Sequence, residues 1–550
     1  MKKNIYKIIM VVIPVLMLTS CVNDLNRFPL NDTTSEVVYS TFDGTKAALA
    51  KVYGAYTLSG QTGPYGNPDV AGLDEGSNAD FLRCWFNHQE MPTDEAHCLW
   101  GDKGVAELNG INFISSSDGA PFTLGLYAKC ILQIMYANDF LRSTASRTYG
   151  SNQQEVNYFR GEARFLRAFA YWVLMDEFGN PPFVTENDAL GIMPNQISRA
   201  DLFKYVESEL LDLINNNGLK AAKTNDYGRA DIAAACALLA RVYLNAEVYT
   251  GTPRWTDAIT YSKKVIDAGY SLKPNYEQLF LADNNKNNPE VILSINYDGK
   301  NTRLVGGTTF LINCGSSANY QNWDINKKMP SDAGYDPNHL LYPQIIHYGI
   351  FSNANWNGYR TRKQFTDKFE TGDKRFLFVG ENPAIGNDPK NWQNGLETYK
   401  YRNITSASTV GNPIFGSDPT YADNDFPLFR LAEQYLIYAE SVVKGGTGGS
   451  MSDAVNYINK LRERAFGNPS KNVSSIDAQF ILDERARELY WECFRRTDLI
   501  RYNQFTTANY IWEWKGGVQA GRTVDSHYNL YPLPSADLQA NPNLKQNDKY

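Results

Sequence analysis

The 550-residue chain has no run of eighteen apolar residues, so no stretch of it reads as a membrane-spanning helix. Its five histidines, His88, His97, His339, His347 and His527, form no HExxH pair, which removes the common zinc-hydrolase signature. There is no GxSxG elbow to present a serine nucleophile. Seven cysteines never fall in CxxC spacing, and Cys84, His88, His97 and Cys98 match no common zinc module. A basic surplus is also missing. Lys and Arg number 53 against 60 Asp and Glu, a formal charge of −7. The first twenty residues carry Lys2, Lys3 and Lys7 and no acid; without them the balance is 50 against 60, or −10. That balance argues against a nucleic-acid partner.

What is present is apolar and aromatic. Hydrophobic residues make up 43 % and charged ones 21 %, enough to bury a large core. The length allows more than one domain or one large multi-lobed body. Ten Trp, 35 Tyr and 27 Phe give 13 % aromatics. Tyr and Trp offer a flat apolar face and a polar tip, which suits polar ligands when exposed and fills cores when not.

The amino terminus sets the compartment. After the three lysines, residues 8–18 are almost continuously apolar, broken only by Pro14. A dozen helical residues are too few for a ~30 Å hydrocarbon layer, so this is a signal-peptide core. It ends in Leu18-Thr19-Ser20-Cys21, which resembles a bacterial lipobox. The resemblance implies cleavage before Cys21 and acylation there, so that a soluble body is held on a membrane by lipid. The rival is a soluble signal peptide with an incidental Cys21. The remaining cysteines read as buried thiols; Cys84 and Cys98 are the one pair close enough in sequence to suggest a bridge.

Residues 21–40 are polar and irregular and read as a lipidated tether. Residues 41–550 read as one body. Helical periodicity occupies about 41–58, 121–270 and 428–500, and long Gly-, Asn-, Asp- and Pro-rich excursions occupy about 59–120 and 271–427. Phe165, Phe169, Trp172 and Val173 form an amphipathic stripe that stops at Gly179-Asn180-Pro181-Pro182. Asp201 is placed to cap the next helix, and the small residues from Ala233 onward allow close approach of a partner helix over 255–268. Val291-Ile292-Leu293 is a short strand candidate. Gly445-Gly446-Thr447-Gly448-Gly449 has no strand before it and no GK[ST] after it, so it is a helix–helix turn. The fold class is mostly α: tetratricopeptide-like helix pairs carrying irregular insertions, without a clean 34-residue repeat.

Four ordered segments resemble the SusD/RagB family of outer-membrane glycan-binding lipoproteins. They are Glu162-Ala163-Arg164-Phe165-Leu166-Arg167-Ala168 running to Pro182; Gly228-Arg229-Ala230 with the helix through Leu244; Leu461-Arg462-Glu463-Arg464 with Glu484-Arg485-Ala486-Arg487-Glu488-Leu489 and Arg495-Arg496-Thr497-Asp498; and Tyr531-Pro532-Leu533-Pro534. Asp74-Glu75-Gly76, Pro92-Thr93-Asp94-Glu95 and Trp512-Glu513-Trp514-Lys515-Gly516-Gly517 bring the likeness closer to the starch-binding branch of that family. The resemblance implies a helical body with an irregular ligand-binding face, no catalysis, no required cofactor, and a TonB-dependent outer-membrane transporter as partner. Arg160, Arg164 and Arg167 share one helix face, and acids such as Asp498 or Glu488 are expected to meet them.

A sugar ring needs an aromatic plane for its C–H face and charged or amide groups for its hydroxyl edge. By resemblance, Asp74 and Arg83 fall on polar contact positions, Trp100 on a site tryptophan, and Trp323 near another. Asp102 stands where the starch-binding branch has a second tryptophan, and Val305 where it has a tyrosine. Tyr320, Trp85 or Trp356 stand as replacements for the missing part of the arc. Starch or another α-glucan is the implied ligand, and a differently curved or decorated glucan is the rival. Arg83 paired with Asp74 or Asp80, and tryptophans that only pin the loop, are the structural alternatives. The resemblance also implies a calcium site from Asp423 and Asp425 with oxygens near Asp283 and Asn285, against Asp425 as a simple helix-approach cap. Two functions from other classes remain: a surface glycoside hydrolase, which needs two carboxylates at a set separation, and a helical scaffold that binds only protein.

Overall fold

The computed structural model describes residues 34–60, 67–315, 356–380, 382–408 and 414–550. Within them the chain is mostly helical. The amino-terminal part runs α1 (Ser35–Val38), α2 (Phe42–Thr57), α3 (Phe81–Glu90), α4 (Val105–Gly110), α5 (Pro121–Thr144) and α6 (Gln153–Glu177). There follow α7 (Arg199–Asn215), α8 (Ile232–Leu244), α9 (Ala246–Thr250), α10 (Trp255–Asp267), α11 (Gly307–Gly315) and α12 (Lys363–Thr366). The carboxy-terminal part holds α13 (Leu431–Val443), α14 (Met451–Phe466), α15 (Ala478–Leu489), α16 (Arg495–Arg501) and α17 (Ser535–Ala540). Six short strands make three two-stranded antiparallel ladders: β1 (His97–Cys98) with β3 (Tyr359–Arg360), β2 (Val291–Ile295) with β6 (Phe426–Arg430), and β4 (Phe378–Val379) with β5 (Glu397–Thr398). No described helix is long and apolar enough to cross a membrane.

Sequence-adjacent helices pack as neighbours: α5 on α6, α6 on α7, α7 on α8, α13 on α14, with α10 filling the space between α8 and α13. The local reasons are those read from sequence. Ala233, Ala234, Ala237 and Ala240 are buried on α8, so α10 approaches closely. At Gly161 a Cβ would lie 1.9 Å from the Gly218 carbonyl oxygen, so only glycine fits where the 216–218 turn crosses α6. Gly179 closes α6 at φ +75°. One cap differs from expectation. Ser198, not Asp201, caps α7: its hydroxyl accepts from the Asp201 N–H, and Asp201 returns a carboxylate to that hydroxyl at 2.7 Å.

Two sequence expectations are corrected. The arginines of α6 do not reach Asp498 or Glu488. Arg164 pairs with Glu209 and Asp212 of α7, Arg167 with Glu186 and Glu209, and Arg160 donates to the Leu141 carbonyl and Thr144. Asp498 instead binds Arg485 and Arg501. The possible Cys84–Cys98 bridge is not made: all six cysteines of the described body are free and buried.

The carboxy-terminal helices are held by charge inside the core. Glu488 accepts from Arg375 at 3.1 Å and Arg430 at 2.6 Å, and also pairs with Arg464. Arg430 continues to Glu290 and Glu492, and Arg375 to Asp373 and Glu484. Burial alone would raise the Glu488 carboxyl; the three arginines outweigh it and bring it down to about 2.

A second buried acid pair behaves in the opposite way. Glu90 accepts from the Cys493 N–H at 2.7 Å and Glu95 from the Trp491 N–H at 2.9 Å. Both donors belong to left-handed residues, at φ +65° and +61°. Burial pushes Glu90 up to about 7 and, with Glu90 beside it, Glu95 well above the carboxylate range. The folded state therefore keeps protons that the unfolded chain loses near the ordinary carboxylate pKa of about 4.3. Their contribution is complete below that value and is lost as pH rises through about 7, at on the order of 1.4 kcal/mol per pH unit per group. Thermal melts followed by circular dichroism are expected to fall in midpoint between pH 5 and 8, and Glu95→Gln is expected to flatten that fall. A parallel slope in the variant contradicts the assignment.

Candidate functional site

The site is built at the end of the β1–β3 ladder. His97 pairs with Arg360 and Cys98 with Tyr359, and the Leu99 N–H donates to the Gly358 carbonyl at 2.7 Å. This carries the chain out of the core at Trp100. The indole is packed edge-on to Tyr359, with ring centroids 5.2 Å apart, and lies 6.5 Å from Phe310. Gly358 has φ +115°, and a Cβ there would stand 2.1 Å from Trp100 Nε1. Only glycine leaves room for the ring. Trp100 is half-buried, so the packing fixes its plane and leaves part of it to solvent.

Beside it opens a cleft of about 260 Å³ between Trp100 and Trp514, with Asp102 and Lys390 exposed at its rim. Several fixed groups shape it. Asn109 is spent on the Cys98 backbone, accepting from its N–H at 3.0 Å and donating to its carbonyl at 2.7 Å. His97 donates from Nε2 to the Pro389 carbonyl at 3.0 Å and accepts from Arg362 at Nδ1, which ties the 389–390 wall to the body. Burial and the Arg362 guanidinium push His97 down to about 3, so it stays neutral.

In the sequence Trp514 stands only as part of a likeness; the structure gives it a place. It sits at φ +66°, strained for a bulky residue. Its Nε1 donates to the Gly386 carbonyl at 3.0 Å, and Glu513 accepts from the Ile385 N–H at 2.9 Å. Lys515 is buried beneath, donating to the carbonyls of Gln504, Thr507 and Tyr510. The signal available in the sequence is the Trp-Lys-Gly-Gly turn itself, since a tryptophan next to paired glycines needs a reason to be held there.

Asp74 is exposed, and its carboxylate accepts from the Gly76 N–H at 2.8 Å. Arg83 is buried. It pairs with neither Asp74 nor Asp80; its guanidinium donates to the Gly76 carbonyl and lies 4.6 Å over Phe310. Asp80 caps α3 instead, accepting from the Arg83 N–H at 2.7 Å and the Gly307 N–H at 2.9 Å. Trp356 is half-buried, 6.4 Å from Phe310. Trp100, Arg83 and Trp356 therefore gather around one phenylalanine. Val305 is buried, its N–H directed to Glu75.

Trp85 is corrected. It lies 1 % exposed in the middle of α3, packed against Phe81, Phe169, Trp172 and Phe426, where no sugar can reach it. Residues 59–120 hold a helix buried on every side, and Trp85 is part of its packing. Tyr320 and Trp323 lie outside the described residues.

The acids assigned to calcium do not gather into an oxygen cage. Asp283 accepts from the N–H and hydroxyl of Ser406. Asp423 accepts from Gly299 and Ser417. Asp425 accepts from the Tyr297 N–H and the Tyr227 hydroxyl, both at 2.8 Å, and burial pushes it up to about 7. Asn285 is exposed; its neighbour Asn284 is the residue that bonds the Asp425 backbone. Among the described residues no three acidic, histidine or cysteine side chains converge on one point.

Comparison with known proteins agrees with this architecture. Residues 260–550 match the profile of the SusD family, and residues 103–244 match a profile described as starch-binding, associating with the outer membrane. The chain is 35 % identical to the starch-binding protein SusD of Bacteroides thetaiotaomicron, across 97 % of this chain and 96 % of that protein. Among solved structures, surface glycan-binding protein A from Bacteroides fluxus superposes with a TM-score of 0.66 at 21 % identity, covering 93 % of this chain and all of that one. Surface glycan-binding protein A from Bacteroides thetaiotaomicron in complex with laminarihexaose superposes with a TM-score of 0.64 at 18 % identity, covering 92 % and 99 %. With a family profile over its carboxy-terminal half and a full-length relative at this identity, the chain belongs to the SusD family.

Proposed function

We propose that this protein is a non-catalytic, acyl-anchored lipoprotein of the outer membrane that captures α-glucan chains at the Trp100 face and passes them to a TonB-dependent transporter. The observation that carries the reading is the half-exposed Trp100 plane, locked by Gly358 and Tyr359 and flanked by exposed Asp102 and Lys390. A flat apolar surface with hydroxyl-binding groups at its edge is what a glucosyl ring requires. The full-length relative named for starch binding supports the α-glucan class. Each stacked ring contributes about 1–2 kcal/mol, so a short chain is held weakly and released readily. A long polymer gains by avidity.

Affinity gel electrophoresis against amylopectin, pullulan and laminarin, with a reducing-end assay on the same mixtures, tests it. Retardation by the α-glucans without new reducing ends is expected. Retardation by laminarin alone replaces the ligand class. Released reducing ends turn the reading to a hydrolase, and migration unaffected by any polysaccharide turns it to a protein-binding scaffold.

A further inference from the structure

Large apolar side chains are rarely exposed in this body, and three of the exceptions fall within four residues. Leu190 is 80 % exposed, Ile192 47 % and Met193 58 %. They form the tip of the loop between α6 and α7, together with exposed Ala189 and Gly191 and with no charge among the five. The loop is not slack. Its neck is a short ladder in which the Phe183 N–H donates to the Asn195 carbonyl at 2.9 Å and the Ile197 N–H to the Pro181 carbonyl at 3.0 Å. Asn541 and Asn543 donate to the carbonyls of Pro194 and Met193. On the other limb, Arg142 of α5 donates to the carbonyls of Glu186 and Asp188, and Asn138 to that of Val184. A pinned base thus holds out an apolar tip.

Behind the tip, two more exposed apolar side chains, Met135 and Val37, lie among charged neighbours on the way to the amino terminus. At 3.6 residues per turn, Met135 lies on α5 between the Asn138–Arg142 stripe that holds the loop and Asp139, which holds α1. Asp139 accepts from the Tyr39 hydroxyl at 3.5 Å, and Glu36 of α1 pairs with Arg147 at 2.7 Å. Met135 is 57 % exposed, and Val37 on α1 is 58 % exposed. The described body begins at Thr34, directly before α1. Twelve residues lie between it and Cys21, a leash of at most about 45 Å. The tether therefore enters the body beside this patch.

We propose that Leu190, Ile192 and Met193, backed by Met135 and Val37, are a lipid-facing patch that dips into the outer face of the bilayer to which the chain is anchored. The proposal rests on the acyl-anchor reading. Its physics is intramolecular. Three aliphatic side chains partition weakly on their own, but an anchored protein presents them to the bilayer at high effective concentration. A convex, uncharged tip suits a deformable lipid surface. Seated this way, the loop fixes which side of the body faces the membrane.

The buried cysteines supply the experiment. In the acylated full-length chain Cys21 is consumed and the other six thiols are inaccessible, so Leu190→Cys takes a single environment-sensitive fluorophore. Met451→Cys, at the exposed start of α14, is the control. Each is returned from detergent to phosphatidylethanolamine–phosphatidylglycerol vesicles, with and without spin-labelled acyl chains. The label at 190 is expected to shift to the blue and to be quenched by the spin label, and the label at 451 to do neither. Flotation with an unshifted, unquenched label at 190 overturns the proposal. So does shielding that appears only when a transporter is co-reconstituted, which assigns the patch to protein. A chain that does not float removes the anchor and this proposal together, while glycan retardation, measured in solution, is unaffected.

Discussion

Trp100→Ala is expected to weaken α-glucan binding at least tenfold, about 1.4 kcal/mol or more, with the far-ultraviolet circular dichroism of the parent. The magnitude follows from removing one stacking plane and the fixed edge that orients the ring beside Asp102 and Lys390. The fold is expected to survive because Trp100 sits at the end of a two-residue ladder. The rings it touches, Tyr359 and Phe310, keep each other and Phe86 as neighbours. Isothermal titration with maltoheptaose and gel retardation by amylopectin read the loss. A folded Trp100→Ala protein that binds like the parent places the ligand elsewhere.

Glu488→Ala is expected to be the most damaging single substitution in the carboxy-terminal half, on the order of 3–5 kcal/mol. Three guanidinium groups point at this one carboxylate from three separate elements. Each has another acid: Glu484 for Arg375, Glu492 for Arg430, and Glu290 for Arg464. None can leave the core. Those acids are already shared, Glu492 with Lys400 and Glu484 with Arg462 and Arg487, so removing Glu488 leaves excess positive charge where water cannot follow, and that desolvated charge costs more than the broken hydrogen bonds themselves. Against a total stability that is typically only about 5–15 kcal/mol, a urea midpoint is expected to fall steeply. Glu488→Gln retains an acceptor and is expected to lose less. Glu36→Ala, which breaks the exposed pair with Arg147, is expected to leave the midpoint almost unchanged. A Glu488→Ala midpoint as close to the parent as that of Glu36→Ala contradicts this account.

Most long helices are legible in the sequence because they keep one wet face, while α8 and α13, buried almost throughout, are legible from runs rich in strong helix formers. The periodicity read over about 41–58 is the helix Phe42–Thr57, and the glycine-rich stretch after Val443 is a turn between helices. Two shorter helices are not legible. All of α3 and α11 is buried: α11 is uncharged throughout, and α3 is short and buries its polar residues Arg83, Asn87 and Glu90 as well, so neither pattern separates a wet face from a core face. Both lie in stretches whose Asn, Asp and Gly content resembles loop, and a tryptophan in such a stretch, as Trp85 is, reads as a candidate ligand contact. The arginines of α6 show a second limit. Spacing of four and three residues says they share a face, but only the packing of α7 says that Glu209 and Asp212 meet them. At the site, resemblance indicates Trp100 and Asp102, while the wall opposite comes from Trp514, more than four hundred residues away in sequence, a proximity no local pattern encodes.

The six sealed thiols of the described body have a further consequence. Among the described residues no cross-link ties one segment to another, so packing alone protects each sulfur. Each sulfur becomes reactive only when its own helix or loop opens. Alkylation at a given cysteine therefore times the opening of that segment, and the chain carries its own clock of local unfolding from Cys84 on α3 to Cys493 beside α16.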